Sequence, residues 1–102
     1  MSYTKIENKV LEKILTYNFS YRQLKMLLLI MRFSYGSKRN FAVIDKKDFF
    51  IANIDPYDVD EVLKPLLIRG IVKWDPDKNL FWINRNLKDW INKKYNIDQF
   101  KR

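Results

Sequence analysis

Seven consecutive residues, Asp55, Pro56, Tyr57, Asp58, Val59, Asp60 and Glu61, carry four carboxylates, and no base follows before Lys64. Carboxylates so close together can hold a divalent metal, cap a helix, accept from a cytosine amino group in a DNA groove, or meet a basic protein surface. Metal-dependent hydrolysis fits worst, because no second acidic cluster and no activating base accompanies them. Histidine and cysteine are both absent. Their absence excludes nucleophile systems that need an imidazole, cysteine-type zinc sites and disulfides. No catalysis, metal or cofactor is therefore expected. Capping, base reading and a protein contact all stay open: Asp55 before Pro56 has the form of an N-cap with proline at the first helical position, and Asp58 stands at the capping-box position.

The cations tell more. Net charge is +8, unevenly spread: residues 1–40 hold eight Lys and Arg against two Glu, residues 41–83 six against eight acidic residues, and residues 84–102 six against two. A surplus this large in a short chain points to a polyanion, with nucleic acid leading and plain solvation of the surface as the alternative. Lys38, Arg39, Lys46 and Lys47 form the densest patch of the first half and are candidate phosphate contacts. Lys73 and Lys78 lie on a predicted hairpin as candidate wing contacts, and Tyr57 and Lys64 lie on the acidic helix. Lys93, Lys94, Lys101 and Arg102 make a basic tail.

Elements that could position these residues follow from periodicity and punctuation. Helical spacing of Val10, Leu11, Ile14 and Leu15 predicts a first helix over residues 8–17, with Thr4 and Glu7 offering an earlier start. Ser20 and Gln23 have capping-box spacing and open a second helix that Gly36 should stop. That helix has one stripe of Leu24, Leu27, Leu28 and Met31 and another of Met26, Leu29, Ile30 and Phe33, the second serving as core or as a dimer face. A short strand is predicted at residues 41–44, then a short helix from Asp45 to about Ala52 with Phe49 and Phe50 turned to the core. Asp55 and Pro56 open a fourth helix, with Val59, Val62, Leu63, Leu66 and Leu67 apolar, Pro65 kinking its last turn and Gly70 ending it. Strands at 71–74 and 80–84 flank five turn-forming residues, and a last helix covers about 87–95. Trp74, Phe81, Trp82, Trp90 and Tyr95 should pack the hairpin on that helix, with a stacking platform for single-stranded bases as the alternative.

The reading is one domain over residues 1–102, with 96–102 a basic tail. It is mainly α with a small β-hairpin (α+β), in winged helix-turn-helix order. The longest apolar run, residues 26–31, is far too short to span a bilayer and no signal-peptide stretch opens the chain, so a cytoplasmic location is expected and no membrane partner.

Several segments resemble the N-terminal domain of the lambdoid phage replication protein O family. They are Tyr3 to Asn8, Leu11 with Glu12, Phe19 with Ser20, Gln23 to Lys25, Arg32 to Gly36 followed by Lys38 and Arg39, and Trp82 to Trp90. The resemblance spans about residues 3–92. It implies a winged helix that recognises origin repeats, often as a homodimer, within a longer initiator of a phage or mobile element. Double-stranded DNA is then the expected partner, with a replication protein as a second. A transcriptional regulator and a protein-interaction module using the acidic helix are the alternatives. Two positions depart from the family pattern: the recognition helix is acidic where the family has hydroxyl and basic residues, and Ser37 replaces a tryptophan.

Overall fold

In the computed structural model, which describes residues 2–92, three α-helices and a three-stranded antiparallel sheet share one buried apolar cluster. Helix α1 spans Asn8–Thr16, α2 Tyr21–Ser34 and α3 Val59–Ile68; strands β1, β2 and β3 span Ala42–Val43, Val72–Asp75 and Leu80–Ile83. Short 3-10 turns at Tyr35–Ser37, Lys46–Ala52, Pro56–Asp58 and Leu87–Asp89 join them. The fold is mixed α+β, and its element order is compatible with a winged helix. It has more sheet than a hairpin: β1 pairs with β3, giving the order β1-β3-β2.

Helix α2 starts where its local code places it. The Ser20 hydroxyl accepts from the Gln23 N–H at 3.1 Å, and the Gln23 side chain accepts from the Ser20 N–H at 2.9 Å. Its stripe of Met26, Leu29 and Ile30 is core rather than a dimer face, with Leu27 and Met31 buried beside it. Tyr21, Leu24 and Leu28 remain exposed. Glu7 stands at the N-cap of α1 with no side-chain cap bond, so the earlier start at Thr4 is not used.

Four expectations need correction. Gly36 does not stop α2: the chain tightens into a 3-10 turn, and Lys38 takes the left-handed conformation at φ 61°. What Gly36 supplies is room, because a Cβ there would lie 2.8 Å from the Thr4 hydroxyl. Phe49 is fully buried and meets Phe81 edge-on at 5.5 Å, whereas Phe50 points to solvent. The last helix is a single 3-10 turn as far as the chain is described. Beyond it Trp90 is extended, its indole N–H donates to the Asn84 carbonyl at 2.7 Å, and the Ile91 N–H donates to Arg69 at 2.8 Å. Those tertiary bonds outweigh local helix propensity. The aromatic residues accordingly divide: Trp74 stacks on Phe81 in the sheet, while Trp90 packs against Tyr17 of the segment after α1. Tyr95, the rest of the predicted helix and the basic tail lie outside the described residues.

Gly70 does end the acidic helix segment, at φ 70°, and the Asp89 carbonyl sits 2.8 Å from where its Cβ would be. The buried Arg69 beside it donates to the Ile91 carbonyl at 3.0 Å and lies 4.8 Å over the Phe19 ring. In urea unfolding, Phe49→Ala should cost about 3–5 kcal/mol and Ser20→Ala about 1 kcal/mol, while Phe50→Ala should stay within about 0.5 kcal/mol.

Candidate nucleic-acid interface

The segment from Pro56 through α3 turns one side to the core, burying Val59, Val62, Leu63 and Leu66. Spacing of three and four residues then sends Tyr57, Asp60, Glu61, Lys64 and Ile68 outward together. Tyr57 is 95% exposed, which no packing role explains.

The acidic cluster is less negative than it reads. Asp55 accepts from the Tyr57 N–H at 2.9 Å, as an N-cap should. Asp58 does not complete a capping box; it takes Arg22 of α2 at 2.8 Å. Asp60 takes Lys46 at 3.1 Å. Among the described residues, Glu61 alone of the four makes no ion pair or hydrogen bond. Both bridges are solvent-accessible and contribute little to stability. Their consequence is local: two carboxylates that would repel phosphates are matched by cations already in place.

The hairpin turn lies beside the same surface. The Asn79 amide donates to the Asp45 carboxylate at 3.0 Å, and the Asn79 carbonyl accepts from the Ile44 N–H at 3.0 Å. These bonds tie the base of the turn to the start of the Lys46–Ala52 segment. Lys46, Lys47 and Lys78 thus belong to one neighbourhood, bridged to α3 through Asp60. Lys73 is exposed on β2, opposite Trp82 in the register. Lys47, Lys64, Lys73 and Lys78 have no ion pair among the described residues.

Lys38 and Arg39 are elsewhere. Strand β1 separates the two pairs along β3: Asn40 accepts from Arg85 beyond one end of β3, and Asp45 accepts from Asn79 before the other. Lys38 and Arg39 instead line a cavity of about 750 Å³ with Tyr3, Lys5, Tyr35 and Arg85. Glu7 is its one carboxylate; it accepts from Arg85 at 2.6 Å, and this bond holds its carboxyl below the usual carboxylate value. Cations from the first forty residues and from beyond β3 therefore do meet, through Arg85. Sequence reasoning did not single out Arg22 or Arg85 as functional. Nothing in the local spacing marks Arg22, whose partner is 36 positions away, and Arg85 is marked only by lying within the segment from Trp82 to Trp90.

Among the described residues no group of three carboxylates is placed to hold a metal ion, and no helix is long and apolar enough to cross a membrane. No curated protein and no solved structure matches the chain. One family model does, over residues 2–90, 89 of the 102 residues and every element described above. By that match the chain belongs to the bacteriophage replication protein O family.

Proposed function

We propose that this protein binds double-stranded DNA in phage replication, at origin repeats, through the outward side of α3 and the hairpin beside it. The observation that carries this reading is the pairing of Asp58 with Arg22 and of Asp60 with Lys46. With those charges matched, Lys47, Lys64 and Lys78 are left to meet phosphates, and Tyr57 projects from the start of the helix segment. Lys73 supplements them, while Lys46 stays with Asp60. Membership in a phage replication family supports the replication setting. A homodimer belongs to the same reading, and the exposed α2 stripe of Tyr21, Leu24 and Leu28 would suit it.

A protein partner is the second reading, favoured by the exposed Asp60 and Glu61 on the same helix side. Glu61→Ala separates the two. Fluorescence anisotropy on duplex DNA should show tighter binding if Glu61 merely repels phosphates; unchanged DNA affinity with loss of a protein partner would favour the second reading.

Duplex affinity should fall steeply with salt, and Lys64→Ala should flatten the slope of log affinity against log salt by about 0.9. Gel shifts in which no duplex is retarded at low salt would refute DNA binding. Selection on random duplexes should recover a site repeated in the phage's replication origin; recovery of a promoter operator instead would favour the regulator.

A further inference from the structure

We propose that the cavity formed by the N-terminal arm, the turn after α2 and Arg85 is a second binding site, which takes the phosphate of a nucleotide unit. The inference goes beyond the duplex-binding reading and does not need it.

Four cations, Lys5, Lys38, Arg39 and Arg85, face one carboxylate there, Glu7. Lys5 and Lys38 make no ion pair among the described residues, and Arg39 lies 5.3 Å over the Phe41 ring. The imbalance is open to an anion. Tyr35 also lines the cavity, and its hydroxyl is buried and has no hydrogen-bond partner. Burial pushes this phenol up from its ordinary value, so it stays protonated and able to donate. A buried donor without an acceptor is costly, and a phosphate oxygen that reached it by displacing the side chains covering it would relieve that cost. The volume suits a nucleotide rather than a bare ion, and the half-exposed Tyr3 ring offers a surface for a base.

The walls are held in place for this. Gly36 lets the arm approach, since a Cβ would meet the Thr4 hydroxyl at 2.8 Å and the Arg32 guanidinium at 3.1 Å. Glu7 and Asn40 both accept from Arg85, joining the arm to the segment before β1. An entering phosphate would compete with Glu7 for Arg85, so Glu7 acts as a removable stand-in for the ligand. The site is also remote from the proposed duplex surface. Arg22, bound to Asp58, and Tyr35 stand at opposite ends of α2, about 20 Å apart at 1.5 Å per residue. Arg85 is likewise at the end of β3 away from the hairpin turn. Both surfaces could therefore be filled at once.

Two-dimensional NMR of the full chain with thymidine monophosphate, thymidine and a short oligothymidylate tests this. The monophosphate and the oligonucleotide should shift the amides of Gly36, Ser37, Lys38 and Asn40 and the Arg85 side chain; thymidine should not. Tyr35→Phe should weaken binding about tenfold, Lys38→Glu combined with Arg39→Glu should abolish it, and Glu7→Gln should strengthen it. An oligonucleotide much tighter than the monophosphate identifies a strand as the source; equal affinities identify a free nucleotide. Absence of these shifts with either probe, or equal shifts with thymidine, overturns the proposal. So does a parallel loss of duplex affinity in the Lys38 and Arg39 variant, because the cavity would then belong to the duplex surface. Duplex binding that fails while the cavity signals still shift would refute only the earlier reading.

Discussion

Most of the described fold is built around the burial of α2. Its Met26, Leu27 and Ile30 are wholly enclosed, and the sheet, α3 and the Lys46–Ala52 segment all pack against it. A helix apolar on more than one side has no stable place on a surface, so it becomes the axis on which other elements settle. Its two ends acquire different duties as a result. The N-terminal end carries Arg22 and steadies the opening of the acidic helix segment. The C-terminal end runs into Tyr35, Gly36 and Lys38 and forms a wall of the cavity.

This arrangement accounts for a charge distribution that looks self-defeating in one dimension. A basic protein that binds a polyanion through a helix segment carrying four carboxylates, as proposed, would work against itself were those residues bare. Folding brings Arg22 to Asp58 and Lys46 to Asp60. Exposed bridges like these add little to stability, and their value lies in the field they leave outside. With each pair near neutral, Glu61 is, among the described residues, the one carboxylate of that cluster left unmatched against Lys47, Lys64 and Lys78.

Features encoded within a few residues were legible in the sequence. Ser20 with Gln23, Asp55 before Pro56, the apolar stripe of α3, Gly70 and the hairpin all rest on local sterics and hydrogen bonding, and the structure keeps each of them, the expected five-residue turn shortened to residues 76–79 because Asp75 pairs with Leu80 in the sheet. Features that depend on distant partners were not. Nothing near Asp58 reveals Arg22, and nothing near Leu87 reveals that Arg69 and Asn84 draw the following residues out of a helix. Phe49 and Phe50 are adjacent and identical in type, so only the packed position of Phe81 decides which is core. The basic run around β1 shows the same limit. Lys38 and Lys46 are near in sequence, but an extended segment is the surest way to separate near neighbours.

The corner at Gly70 has a mechanical consequence. Left-handed backbone and the pressing Asp89 carbonyl leave that position no other residue and little other geometry. Arg69 on one side and Asn84, whose amide donates to the Gly70 carbonyl at 2.9 Å, clamp it further. The elbow between α3 and β2 is therefore held on both sides, and a duplex bound as proposed would meet two elements fixed relative to each other. A double helix spanning both elements would have to do the yielding itself. Its own bendability would then enter the binding free energy at base pairs that no side chain touches.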